Sequence, residues 1–192
     1  PQFTQNNAVL PSNSAAIDSA EAIISSNKRT VIVGTNSIVY TDDGTSFTEA
    51  PSYQDLTYIG IVRGNTQFVA VDGNGRVKQS NDGTSWGDSA NNLLSYGVTF
   101  NKIEVGNNVI CAIANSTDKI YKSADDGANW TEVTAGVSNV KFLAYGNGKW
   151  VTANESGDTW ESVDDGATWI AGPNIGEVQH DVCGLVFGAG KF

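Results

Sequence analysis

Ser123-Ala124-Asp125-Asp126-Gly127-Ala128-Asn129-Trp130 recurs nearly intact as Ser162-Val163-Asp164-Asp165-Gly166-Ala167-Thr168-Trp169. Two more divergent copies run from Tyr40 to Phe47 (YTDDGTSF) and from Gln79 to Trp86 (QSNDGTSW). Their glycines fall at 44, 83, 127 and 166, in steps of 39, 44 and 39, and the aromatic three residues on keeps the same steps. A period near forty residues fixes the architecture before any local reading, because each repeat must be one supersecondary unit stacked on the next. Within the turn, glycine takes positive φ without a Cβ clash. An aspartate beside it accepts hydrogen bonds from turn amides, which makes Asp-Gly between two β-rich runs a hairpin signal. The aromatic is then left to pack beneath the loop.

Outward from these turns, each unit reads as four short strands. The first unit holds RTVIVGT and SIVYTDD, and the second spans LTYIGIVRGNTQFVAVDGNGRVKQSNDGTSW. The third is NKIEVGNNVICAIANSTDKIYKSADDGANW, and the fourth VKFLAYGNGKWVTANESGDTWESVDDGATW. A second marker, glycine in the first turn of a unit, recurs at Gly64, Gly106, Gly146 and Gly188, in steps of 42, 40 and 42. The runs VIVG, FVAV and ICAIA are nearly continuous, which predicts strands covered on both faces. RVKQS, KIYKS and TWES predict alternating outer strands. Trp86, Trp130 and Trp169 are expected between neighbouring units.

The pattern S-x-D-x-G-x-[TN]-W resembles the Asp-box, or bacterial neuraminidase repeat, over residues 20 to 192. In that family the box joins the third and fourth strands of a β-propeller blade, and its Asp works on backbone amides. The resemblance therefore implies an all-β propeller of four-stranded antiparallel blades, with four box repeats and the start of a fifth. Its structural turn residues would be Asp42, Gly44 and Phe47; Asn81, Gly83 and Trp86; Asp125, Gly127 and Trp130; Asp164, Gly166 and Trp169. Asn81 then replaces the first Asp of its box, and Tyr40 and Gln79 replace the first Ser. The box occurs in enzymes, lectins, assembly factors and virion proteins, so it implies a fold and not an activity.

Blades are expected at about 20–57, 58–96, 97–139 and 140–180, with a further one beginning over 181–192. Residues 1–19, rich in Asn, Gln, Ser and Ala, predict an extended arm that docks on a neighbouring chain, with a short helical turn near Ser14 to Ile23. GLVFGAGKF (184–192) matches LAYGNGKW, so a fifth unit begins and stops within its second strand. Either the natural chain continues with more blades or this strand closes a small ring against blade one. An unpaired apolar strand would be costly, and the first is the expectation, because four-bladed closure is rare and blade one already has its own first strand.

A net charge of −10 and an isoelectric point near 4.3 argue against nucleic acid and anionic membranes as partners. The N-terminus PQFTQNNAVLPSNS has no positive start or apolar h-region, and no apolar run approaches the roughly 20 residues of a membrane span. Cys111 and Cys183 lie in different units and read as buried, unpaired thiols. His180, the lone histidine, reads as a surface or turn residue. The acidic pairs Asp42-Asp43, Asp125-Asp126 and Asp164-Asp165 supply too few ligands for a cation, and no cofactor or metal is expected.

A sialidase-like hydrolase needs three arginines converging on a substrate carboxylate, whereas Arg29, Arg63 and Arg76 are the only arginines and none lies in an Arg-Ile-Pro context. The reading is therefore non-catalytic. Drifting repeats, an Asn/Ser/Thr/Gly-rich surface and a polar arm look like a phage or virion appendage protein (tail fibre, tail tip or capsid decoration). The alternatives are a secreted or cell-surface glycan-binding propeller, stacking sugars on Tyr53, Tyr58, Tyr96 or Trp150, and a sialidase-like enzyme whose catalytic set lies elsewhere. Asp-box propellers that serve as photosystem assembly factors are a further likeness, but those normally carry a basic patch that this acidic chain lacks.

Overall fold

A computed structural model describes residues 20–26, 29–51, 56–91, 93–114, 118–134, 136–175 and 182–192. The strands form four antiparallel sheets, each in plain sequence order. Blade one comprises β1 (Ala20–Ser26), β2 (Arg29–Gly34), β3 (Ser37–Thr41) and β4 (Thr48–Glu49). Blade two comprises β5 (Tyr58–Arg63), β6 (Phe68–Asp72), β7 (Val77–Ser80) and β8 (Gly87–Asp88), followed by a 3-10 turn at Leu93–Tyr96. Blade three comprises β9 (Phe100–Gly106), β10 (Val109–Ala114), β11 (Lys119–Ser123) and β12 (Thr131–Thr134). Blade four comprises β13 (Phe142–Gly146), β14 (Lys149–Ala153), β15 (Thr159–Ser162) and β16 (Ile170–Ala171).

First strands pack on first strands, β1 on β5, β5 on β9 and β9 on β13, and the series does not return from β13 to β1 with a comparable contact. The blades thus fan about a common side as an arc of a β-propeller. Every third strand ends in one of the four repeat turns. Because first and third strands run parallel, the repeat turns and the first turns of all blades gather on one end of the arc. Two-residue first turns with both residues at positive φ join strands of matching twist. They are Asn107-Asn108 (50° and 61°), Asn147-Gly148 (50° and 77°) and Ala189-Gly190 (49° and 78°).

The core lies between blades and not within them. Successive residues of a strand point to opposite faces, and the second strands show it directly. Phe68 and Ala70 join Val31, Val33, Ile38 and Trp86 between blades one and two. Val69 and Val71 join Ile110, Ala112 and Trp130 between blades two and three. Val109, Cys111 and Ile113 join Trp150 and Trp169 between blades three and four. Each tryptophan of a repeat turn is therefore interblade core, whereas Phe47 of the first turn is half-buried.

Some expectations change. Residues 20–23 belong to β1 and not to a helical turn, because Ala22 and Ile23 pair with Val33 and Ile32 in the ladder. The third strands do not alternate cleanly: β7 and β15 are buried at three of four positions, β7 because the next blade covers its second face and β15 because Gly172 and Pro173 lie against Thr159. Cys111 is buried and Cys183 exposed, both unpaired. The arm at 1–19 and His180 lie outside the described residues. In the last segment, Gly188 bridges Lys191 around the Ala189-Gly190 turn. Phe187 lies against Gly146 just as Tyr145 lies against Gly106, the placement of a next first strand.

Trp130→Ala is expected to cost about 3–5 kcal/mol, the usual range for emptying a large aromatic site. Phe47→Ala, with no blade beneath it among the described residues, should cost only about 1 kcal/mol. Urea unfolding of the two variants measures the difference.

Candidate functional site

The two long repeat turns are built alike. The Ser123 and Ser162 hydroxyls each accept the amide of Gly127 or Gly166, both at 2.9 Å. Each donates at 2.8 Å to Oδ1 of Asp125 or Asp164. Those carboxylates accept the Asn129 and Thr168 amides at 2.8 and 2.9 Å, and a side-chain donor from the same residue on Oδ2. The indole Nε1 of Trp130 and Trp169 donates back to the carbonyl of its own turn's glycine at 3.1 and 3.2 Å. Asp126 (φ 55°) and Gly127 (80°) turn left-handed together, as do Asp165 (57°) and Gly166 (76°).

The first two turns are one residue shorter, which moves two of the expected residues. The carboxylates that cap them are Asp43 and Asp82, not Asp42 and Asn81. Asp43 accepts the Thr45 and Ser46 amides at 2.8 and 2.7 Å. Asp82 accepts those of Thr84 and Ser85 at 2.9 and 3.0 Å. The hydroxyls are Thr41 and Ser80, which take the Gly44 and Gly83 amides at 2.9 and 2.8 Å, and not the positions of Tyr40 and Gln79. Counting eight residues back from the aromatic overshoots by one, because these turns lack the residue that Asp126 and Asp165 add. Asp42 is left to hold Arg29 through two hydrogen bonds, at 2.7 and 2.6 Å.

Each turn then seats on the blade before it. A Cβ at Gly83 would stand 2.8 Å from Val31, one at Gly127 3.0 Å from Val69, and one at Gly166 3.0 Å from Cys111. Carbonyls of the turns are held by that same preceding blade: Asp82 O accepts Arg29 Nη1 at 2.6 Å, and Asp126 O accepts Gln79 Nε2 at 2.7 Å. Asp165 O lies 3.5 Å from Lys122 Nζ. The extra aspartates add a second clasp on the first turn of the preceding blade. Asp126 accepts the Asn65 and Thr66 amides and the Thr66 hydroxyl at 2.7, 2.8 and 2.6 Å, and Asp165 accepts Asn107 Nδ2 at 2.8 Å. Only the first turn has no such seat among the described residues: a Cβ at Gly44 would meet nothing within 4 Å.

Other candidates disperse. Arg29 is bound to Asp42 and Asp82, and Arg63 lies over the Phe68 ring at 4.8 Å. Arg76 precedes β7 and is exposed at the opposite end of blade two, a strand length or about 15 Å from Arg63, so the three guanidinium groups do not converge. Tyr58 and Trp150 are fully buried and cannot stack on a sugar; Tyr53 lies outside the described residues. Tyr96 is half-exposed, but its hydroxyl donates to Trp130 O at 2.9 Å and its ring packs on Tyr121 at 4.6 Å. Among the described residues no three His, Cys, Asp or Glu side chains are grouped to hold a metal, and no helix is long and apolar enough to cross a membrane.

The surface itself is uneven. Lysines of the second and third strands are paired with neighbours, Lys78 with Asp88, Lys119 with Glu132 and Lys149 with Glu161, at 2.6, 2.9 and 2.8 Å. The exposed large apolar side chains of the described residues are Tyr96, Val163, Ile170, Ile175, Val186 and Phe192, and all but Tyr96 lie on blade four or the segment after it.

No protein-family model and no curated protein sequence matches the chain. Solved structures do. YCF48 bound to D1 peptide is 17% identical with a TM-score of 0.61, over 79% of this chain and 53% of that one. YCF48 from Cyanidioschyzon merolae is 12% identical at 0.64, over 86% and 58%. A catalytically inactive virginiamycin B lyase from Staphylococcus aureus, with quinupristin, is 15% identical at 0.67, over 85% and 59%. The fold is a β-propeller's. At these identities the likeness is one of fold alone, and the chain spans between half and three-fifths of these three proteins.

Two outcomes follow for the turns. Asp126→Ala should cost about 1–3 kcal/mol in urea unfolding, because it strips partners from two backbone amides, while Asp165→Ala should cost at most about 1. Thr168 and Ser162 hold Asp164 down at about 2, and the Ser46, Thr45, Ser85 and Thr84 amides hold Asp43 and Asp82 well below the carboxylate range. A carboxylate depressed on folding favours the folded state fully above its unfolded value of 3.8 and loses that contribution as pH falls through its folded value. The thermal midpoint should thus be level above about pH 5 and fall between about pH 4 and 2, less steeply in Asp82→Asn.

Proposed function

We propose that this chain is a non-catalytic, protein-contacting propeller segment of a larger assembly, and that the assembly is a virion or phage appendage such as a tail fibre, tail tip or capsid decoration. One observation carries the non-catalytic half: the side chains that repeat along the sequence are consumed by the architecture. The serines and aspartates cap turns, the tryptophans fill blade junctions, and Arg29 holds a turn carbonyl and Asp42. What remains outward is an acidic chain with several exposed apolar side chains on blade four and the segment after it, which suits contact with protein and not capture of an anionic substrate. YCF48, which shares the fold, has been seen with a D1 peptide bound, so the fold accommodates a polypeptide partner. The Asn/Ser/Thr/Gly-rich composition and the polar residues 1–19 support an appendage setting, with that arm docking on a neighbouring chain.

Gradient fractionation of source particles, followed by chemical cross-linking, tests the reading. The chain should travel with the particle in fixed stoichiometry and cross-link through residues 1–19 to another chain. Recovery only as free protein would remove the appendage setting. Hydrolysis of an aryl sialoside that disappears in Arg63→Ala would restore the enzyme, and glycan-array binding lost in Tyr96→Ala would restore the lectin.

A further inference from the structure

We propose that Asn147 is a site of spontaneous deamidation, and that the fold confines this chemistry to the turn between β13 and β14. The reaction favours Asn-Gly and Asp-Gly pairs, because the backbone nitrogen that attacks the side-chain carbonyl carbon belongs to a residue with no side chain in the way. The chain holds five Asp-Gly pairs, beginning at 43, 72, 82, 126 and 165, and two Asn-Gly pairs, beginning at 74 and 147.

In every pair but one the attacking nitrogen is already committed. The amides of Gly44, Gly83, Gly127 and Gly166 donate to the hydroxyls of Thr41, Ser80, Ser123 and Ser162 at 2.9, 2.8, 2.9 and 2.9 Å. Those of Gly73 and Gly75 donate to the carbonyls of Thr57 and Asp72 at 3.1 and 3.0 Å. Gly148 is the exception among the described residues. Its two-residue hairpin pairs the flanking Gly146 with Lys149 and leaves the second turn amide outside the ladder. Asn147 and Gly148 are both exposed, and a Cβ at Gly148 would meet nothing within 4 Å. The matching turn of blade three is Asn107-Asn108, where the second residue carries a side chain and Asp165 holds Asn107 Nδ2 at 2.8 Å.

The Gly148 nitrogen, giving up its proton to solvent, attacks Asn147 Cγ. The Cγ–Nδ2 bond breaks, ammonia leaves, and a succinimide ring closes. Water then opens the ring at either carbonyl, giving aspartate or isoaspartate. Both products add negative charge close to Lys149, which is paired with Glu161. Isoaspartate also carries the main chain through its β-carbon, which lengthens a turn built on two residues at positive φ, 50° and 77°. At Asn74 the same attack requires Gly75 to release Asp72 O first. One such bond sets a rate difference of roughly tenfold. This site stands apart from the partner reading above.

Tryptic mass spectrometry of the full chain, aged at mildly alkaline pH, tests the assignment. The two Asn-Gly pairs fall in separate peptides, 64–76 and 142–149, and fragment spectra place each change on its residue. In the folded chain Asn147 should convert roughly tenfold faster than Asn74. In guanidinium chloride the two rates should become comparable. Labelling by an isoaspartyl methyltransferase should appear in 142–149 of the aged, folded chain. Equal or reversed rates in the folded chain would overturn the proposal. So would an Asn147 that keeps its amide in the folded chain over the time in which the unfolded chain loses it.

Discussion

Everything in this molecule hangs on a glycine of one blade lying flat against the second strand of the blade before it. Gly83 on Val31 leaves no room for a side chain, Gly127 on Val69 and Gly166 on Cys111 leave little, and each takes a φ between 76° and 80° that disfavours any other residue. The surrounding hydroxyl, carboxylate and indole exist to hold the loop in the shape that presents this glycine. The turn is therefore as much a fastening between blades as a connection within one.

That fastening comes in two strengths. The short turns at 41–47 and 80–86 cap themselves and offer a carbonyl. The long ones at 123–130 and 162–169 add an aspartate at positive φ that reaches across to the neighbouring first turn. Asp126 takes three hydrogen bonds there and Asp165 one, so the blade two to blade three junction is the most heavily tied. The variation lies in the same few residues that vary among the four copies in sequence.

The architecture was readable because it rests on period and on residues with one physical use. Glycines 44, 83, 127 and 166 and their following aromatics place the third-to-fourth strand turns, and the continuous run VICAIA places a strand buried on both faces. The capping residues of the first two turns were misassigned by one position because spacing alone does not show a deletion. The signal that finds them is the hydroxyl residue two before the aspartate, Thr41 with Asp43 and Ser80 with Asp82. Aromatic exposure was the least readable. Trp150 and Tyr58 look like surface residues in a polar sequence, yet both face a neighbouring blade whose position no local pattern encodes. The reach of Asp126 to Asn65, sixty-one residues away, is invisible for the same reason.

Because the apolar mass sits in the gaps between sheets, no single meander owns a core. A lone blade would expose both of its faces and gain nothing from its own hydrogen-bonded ladder that water could not offer in exchange. Order must therefore spread from neighbour to neighbour, like closing a zip whose teeth are whole sheets. Each blade's stability is borrowed from the blades that flank it.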